Sequence, residues 1–230
     1  MKGLVLLSGG LDSTLALIKL LDQGHSVKPV FVDYRQWSRL AEMESVEEVW
    51  DWCHVTFGDR LLPMVRQDVQ ICSNDEGLGS VWGRGITLVG LAAMYAYTHD
   101  NDYDFVALGN HKGDVGPDCK PGLFDRALAE ALSVSTRGKL SLLLPVRGLT
   151  TDNIGVELQN YGIPFETMYS CYWCPPCGYK SKSEEYRCPG CRRKTLAMRA
   201  AGVADTEILA YPNGSGDRSY QSPLAEEVGY

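Results

Sequence analysis

The chain has 230 residues, 44% hydrophobic and 22% charged, an ordinary balance for a soluble globular protein with room for one sizeable domain and a small appendage. A formal net charge of -7 argues against non-specific binding of long nucleic acid, while leaving room for a small anionic ligand. No segment approaches about 18 uninterrupted apolar residues, and the apolar run after Lys2 is too short for a signal-peptide core, so no membrane span and a cytoplasmic location are expected.

Residues 4–7 predict a strand that runs into Ser8-Gly9-Gly10, and a helix over 13–21 follows. A strand is then expected at 27–33, a helix at 43–53, a weaker strand at 61–65 and a helix at 86–98. The series continues with a strand at 104–108, a helix at 124–133, a strand at 140–144 and a helix at 152–161. The strands are apolar on both faces, as in parallel sheets covered by helices on both sides. This alternation predicts a doubly wound α/β fold with a mainly parallel, Rossmann-like sheet, which binds ligands at the carboxyl ends of its strands. Residues 74–85 (NDEGLGSVWGRG) read as a long glycine-rich loop suited to a site or a lid. The expected organisation is an α/β domain over 1–167, a zinc-binding segment over 168–212 packed on it, and a flexible tail over 213–230 rich in Gly, Ser and charge.

The stretch LSGGLDST is the first with chemical content. Glycines after a buried strand let a ligand approach the backbone, and the helix that follows offers unpaired N–H groups and a positive dipole. Ser8, Ser13 and Thr14 add hydroxyls, so the natural occupant is an anion the size of pyrophosphate. Asp12 fits two roles, a Mg²⁺ ligand between itself and that anion or a helix N-cap. No Gly-Lys-Thr follows, which disfavours P-loop kinase or GTPase chemistry.

Five of the eight cysteines fall between Cys171 and Cys191. Two Cys-Pro-x-Cys pairs, Cys174 with Cys177 and Cys188 with Cys191, suit a closed, structural, tetrahedral Zn²⁺ site. Cys171 is a fifth candidate for the four places. Cys53 and Cys72 read as plain thiols. The histidines at 25, 54, 99 and 111 show no metal spacing, and His111 reads as a polar loop residue.

SGGLDST is similar to the SGGxDS loop of the PP-loop ATP pyrophosphatases. Four further stretches make the chain resemble one branch, the 7-cyano-7-deazaguanine synthases (QueC). Val32-Asp33-Tyr34-Arg35-Gln36 resembles x-Asp-Tyr-Gly-Gln, and Trp82-Gly83-Arg84-Gly85 before ITLVGLAAMYAY resembles Pro-Gly-Arg-Asn and its helix. Gly116-Pro117-Asp118-Cys119-Lys120-Pro121 resembles the Tyr-Pro-Asp-Cys-Arg-Pro element. Ser170-Cys171-Tyr172, Cys188-x-x-Cys191-Arg192 and Ala201-Gly202 resemble the family's ending. The order matches over residues 4–211.

The resemblance implies a ligase that uses ATP and ammonia to convert 7-carboxy-7-deazaguanine to the nitrile, in queuosine biosynthesis. Ser8, Gly9, Gly10, Asp12 and Ser13, with Thr14, would hold the ATP phosphates and Mg²⁺, and Val32 and Tyr34 would lie at the nucleotide. Arg84 would take a phosphate or the substrate carboxylate, and Asp118 the guanine-like edge of the ring. It also places Cys171 among the zinc ligands, replacing Cys174 or Cys177, and a homodimer is expected. Three departures stand out: Arg35 replaces a glycine, Gly85 an asparagine and Thr151 a lysine, for which Lys112, Lys120 or Arg35 could stand in. A divergent member could stop at the amide, or pass the activated group to another amine such as one on a protein. Lys180, Lys182, Arg187, Arg192, Arg193 and Lys194 would instead serve a tRNA-modifying enzyme that grips RNA, although Glu184 and Glu185 dilute that cluster. A nucleotide-binding scaffold without activity is the non-enzymatic alternative.

Overall fold

The first strand, β1 (Lys2–Leu6), lies at the centre of a five-stranded sheet with every pairing parallel. The computed structural model describes residues 1–36, 38–69, 83–99, 102–112, 122–171, 188–204 and 208. In chain order the elements are β1, α1 (Leu11–Asp22), β2 (Ser26–Asp33), α2 (Arg39–Phe57), β3 (Val65–Asp68) and α3 (Arg84–His99). They continue with β4 (Phe105–Ala107), α4 (Leu123–Ser135), β5 (Ser141–Leu143), α5 (Thr151–Tyr161) and α6 (Pro189–Ala200). The strand order β3-β2-β1-β4-β5 is that of a doubly wound fold, and the direction of winding reverses between β1 and β4.

Alternation along the strands builds two cores. Val5, Phe31 and Phe105 point to one face, where they meet α1, α2, α5 and α6; Leu4, Leu6, Val30, Val32 and Val106 point to the other, under α3 and α4. Each fully buried leucine, valine or phenylalanine contributes about 1.5–3 kcal/mol. Helix α1 is buried nearly all round, with Leu15, Leu17, Ile18 and Leu21 inaccessible, and Lys19 ties it to Glu157 of α5 at 2.6 Å. Among the described residues no helix is long and apolar enough to cross a membrane.

Two expectations need correction. The third strand runs over Val65–Asp68, not 61–65; Leu61 makes only an isolated bridge to Val27. Pro63 has no N–H to donate, and the real strand is an edge whose Arg66 and Asp68 are exposed, so its apolar content was misleading. The expected elements also omit α6, whose helical period over RRKTLAMRA lies in a stretch read only as a zinc-binding segment. Cys188 is its N-cap, with Sγ accepting the Cys191 N–H at 3.5 Å, and Pro189 opens it, so Cys-Pro-Gly-Cys begins a helix here.

Helix α6 crosses α5 at Gly155. A Cβ built there would lie 2.0 Å from the Ala197 carbonyl oxygen, on backbone that cannot swing aside. Gly155→Ala is therefore expected to cost about 1–3 kcal/mol, read as a lower urea midpoint with an unchanged slope.

Candidate active site at the switch point of the sheet

A cavity of about 280 Å³ opens at the carboxyl ends of β1, β2 and β4, where the winding reverses. Ser8, Gly10, Asp12 and Ser13 form one part of its wall. Gly9 turns the chain with a φ of +73°, and the extended Gly10 is the N-cap of α1 with no side-chain capping bond. Asp12 is thus the second residue of the helix, and the N-cap alternative does not apply to it. The Ser13 hydroxyl closes the turn, accepting from the Ser8 N–H at 3.3 Å, with the Ser8 hydroxyl 3.2 Å away. The first N–H groups of α1 have no acceptor within the helix and form its positive end at the cavity.

Thr14 and Gly9 do other work. Thr14 is fully buried, off the cavity wall, and its Oγ1 has no hydrogen-bond partner among the described residues. The Gly9 carbonyl accepts the Tyr169 N–H at 3.0 Å and lies 2.9 Å from the Ser45 hydroxyl, which staples the turn to the chain that follows α5.

Val32, Tyr34, Glu42 and Arg84 line a second part of the wall. The Glu42 carboxylate accepts the Ser38 hydroxyl at 2.6 Å and the Gln36 amide at 2.8 Å. Burial raises the Glu42 pKa above the usual carboxylate range, against the pull of these donors and of Arg84. The Tyr34 hydroxyl is likewise raised, by burial first and by Glu42 next, while a hydrogen bond from Arg84 opposes the shift. A raised carboxyl pKa means that the folded chain holds a proton where the unfolded chain has lost it. The stability Glu42 contributes is then present below its unfolded pKa and is lost as the pH rises through its folded value. Urea midpoints of the protein and of Glu42→Gln, compared from pH 4.5 to pH 8, should therefore drift in the variant's favour as pH rises.

Asp33 closes the end of β2 through Arg66 at 2.6 Å and the Arg35 N–H at 2.9 Å. Arg35, at the position where the resemblance has glycine, keeps a φ of +63°. A side chain in that region costs on the order of 1 kcal/mol, so Arg35→Gly should stabilise the fold by about that amount, read as a higher urea midpoint with an unchanged slope.

On a third part of the wall, Thr151 opens α5 and its hydroxyl lies 3.4 Å from His111 Nε2. His111 is a loop residue, fully buried, and its Nδ1 is 3.8 Å from an Asp12 carboxylate oxygen. Lys112 and Arg35 are off the cavity wall.

Cys171, Cys188 and Cys191 converge beside this wall. All three are buried, their sulfurs lie within 4.8 Å of one another, and the Cys188 sulfur is 3.9 Å from that of Cys171 and 3.4 Å from that of Cys191. Four thiolates at ~2.3 Å from a tetrahedral zinc sit ~3.8 Å apart, so the cluster fits that ion. The structure brings in Cys171, the alternate in the sequence reading. Cys174 and Cys177 lie outside the described residues, as do Asp118 and Lys120.

A family model described as queuosine biosynthesis protein QueC matches residues 2–202. The chain belongs to the QueC family. The 7-cyano-7-deazaguanine synthase of Picrophilus torridus is 28% identical, over 92% of this chain and 93% of that protein. Those of Thermoplasma volcanium and Persephonella marina are each 29% identical, over 89% and 88% of this chain and 89% and 94% of theirs.

In this QueC-family chain Lys180, Lys182 and Arg187 of the basic cluster considered for RNA lie outside the described residues, and the described Arg192, Arg193 and Lys194 do not share one exposed face. Lys194 is 2% exposed and donates to the Met168 carbonyl at 2.6 Å, and Arg193 lines the cavity. Burial lowers the Lys194 pKa to about 8. The sequence reading missed Glu42, His111 and Arg193 at the site. Signals existed for two of them: His111 follows the end of a strand in GNHKGD, and RRKTLAMRA has helical period, which separates adjacent residues by about 100°.

Proposed function

We propose that this QueC-family chain is an ATP-dependent ligase that converts 7-carboxy-7-deazaguanine to 7-cyano-7-deazaguanine with ammonia. The observation that carries the reading is the cavity at the switch point, floored by the 8–10 turn and the amino end of α1, with Asp12 and Arg84 on its wall. The substrate carboxylate attacks the α-phosphorus of ATP, its C–O–P bond forms and the bond to pyrophosphate breaks. Ammonia then displaces AMP to give the amide. A second ATP activates the amide oxygen, and loss of AMP with the amide protons leaves the nitrile.

The chain's part is positioning and charge stabilisation. The N–H groups at the start of α1 and the hydroxyls of Ser8 and Ser13 hold the pyrophosphate portion. Arg84 takes an anionic oxygen, and Val32 and Tyr34 border the nucleotide. Asp118 is the proposed acceptor for the N1–H and amino group of the ring. Asp12 would hold Mg²⁺, which when bound neutralises phosphate charge. Zinc at Cys171, Cys188 and Cys191, with a fourth thiol from Cys174 or Cys177, would be structural, because four thiolates leave no open position.

Thr151 favours a second reading. The resemblance has a lysine there, and the cavity wall has a hydroxyl, so charge stabilisation for one of the two activations is weaker. A chain of this kind could stop at the amide. Mass spectrometry of the products from ATP, ammonia and 7-carboxy-7-deazaguanine separates the two. A nitrile supports the first reading, an amide that accumulates and never loses water supports the second, and unchanged carboxylate contradicts both.

A further inference from the structure

Among the described residues, the cavity wall carries two cationic side chains, Arg84 and Arg193. Arg84 belongs to α3, where its guanidinium bonds the Tyr34 hydroxyl and stands near Glu42. Arg193 comes from α6, and its neighbours on the wall include Ser170, Cys171 and Gly190.

A continuous set of bonds holds α6 in that place. The Tyr169 N–H donates to Gly9, and the Tyr169 carbonyl sits 3.5 Å from where a Cβ on Gly10 would be. One residue earlier, the Met168 carbonyl receives the Lys194 ammonium at 2.6 Å. Breaking this contact would leave a buried ammonium without its acceptor, so the contact fixes the helix firmly once made. With Lys194 turned inward, Arg193 lies about 100° away around the helix, and that phase puts it on the cavity wall. Arg192, one residue further back, is exposed. By the same phase Ala197, three residues after Lys194 and four after Arg193, lies between them around the helix, where Gly155 lets α6 press against α5.

We infer that Arg193 is an anion-binding residue of this cavity, set in place by Lys194, and takes a negatively charged oxygen of a substrate. That oxygen belongs to a phosphate of the nucleotide or to the carboxylate of the purine-like substrate. A guanidinium suits either, because its paired donors match a two-oxygen anion. The inference rests on the function proposed above and adds a second arginine to it. It also makes α6 part of the catalytic cavity, with its own contact to ligand.

Calorimetric titration of the full-length, zinc-loaded protein tests this with three probes, each added separately: Mg²⁺ with a non-hydrolysable α,β-methylene ATP, 7-carboxy-7-deazaguanine, and inorganic pyrophosphate. Arg193→Ala should weaken one of the two substrate probes about 10- to 100-fold, leave the other within about twofold, and keep the melting temperature. Loss on the ATP analogue, matched by pyrophosphate, assigns the phosphates; loss on the deazaguanine assigns its carboxylate. Arg193→Lys should restore part of the affinity. Lys194→Met, with Arg193 intact, should weaken the same probe. Unchanged binding of both substrates to Arg193→Ala would overturn the inference, as would an equal loss of both or a fall in melting temperature, which mark wall packing. A wild-type protein that binds none of the probes would overturn the proposed function, and the role of Arg193 with it.

Discussion

Asp12→Asn is expected to lower ATP-dependent pyrophosphate release by about 10²–10³-fold, with the fold intact. Asp12 is the second residue of α1, at the positive end of the helix, and its half-buried carboxylate faces the cavity. An acid there repels a polyphosphate unless a divalent cation stands between them, so loss of its charge removes the counter-ion's anchor and leaves the N–H groups to act alone. The contrasting account is a first-turn acid that only complements the helix dipole. On that account Asn costs about 0.3–1 kcal/mol of stability and spares the reaction. A coupled pyrophosphate assay across Mg²⁺ concentrations, with a melting curve on the same sample, separates the two. Loss of a Mg²⁺ ligand gives a higher Mg²⁺ requirement and a collapse of turnover at an unchanged melting temperature.

Cys188→Ala is expected to abolish stoichiometric zinc, to unfold α6 and to weaken nucleotide binding. The side chain is inaccessible, it caps α6, and its sulfur is in contact with both other thiols. A structural zinc contributes on the order of 10 kcal/mol, comparable with the roughly 5–15 kcal/mol that holds a whole domain together. The effect reaches the cavity because Cys171 and Gly190 line it and Arg193 follows on the same helix. Zinc measured by atomic emission, helicity by circular dichroism and ATP-analogue affinity should fall together. A variant that keeps its zinc, or loses it with affinity unchanged, would show the metal and the cavity to be independent.

Much of the scaffold was legible because buried parallel strands leave a simple trace, a short apolar run on both faces followed by turn residues. Residues 4–7 before Ser8-Gly9-Gly10 carry that trace, and β1 and the turn lie where it puts them. The trace failed for β3, an edge strand with two exposed polar residues, beside a more apolar stretch interrupted by Pro63. The site was legible where a motif is local: Ser8, Gly10, Asp12 and Ser13 share one turn, and Val32, Tyr34 and Arg84 reach the same cavity. It was illegible where only three-dimensional packing decides. Nothing in GNHKGD says that His111 is sealed beneath Asp12, and Arg193 and Lys194 look alike until the phase of α6 sends one to the cavity and the other to the core. Thr14 shows the opposite error, since a hydroxyl in the right motif is turned inward by the same helix that presents Asp12.

On the proposed function, this cavity splits ATP between its α and β phosphates to activate a deazaguanine carboxylate. Phosphorus NMR of a reaction with ATP, Mg²⁺, ammonia and 7-carboxy-7-deazaguanine tests it directly, with the carboxylate omitted from a parallel tube. The proposed reaction gives AMP and pyrophosphate in equal amounts, only when the carboxylate is present, with two of each for every nitrile formed. ADP with phosphate, or nucleotide cleavage that ignores the carboxylate, would contradict it.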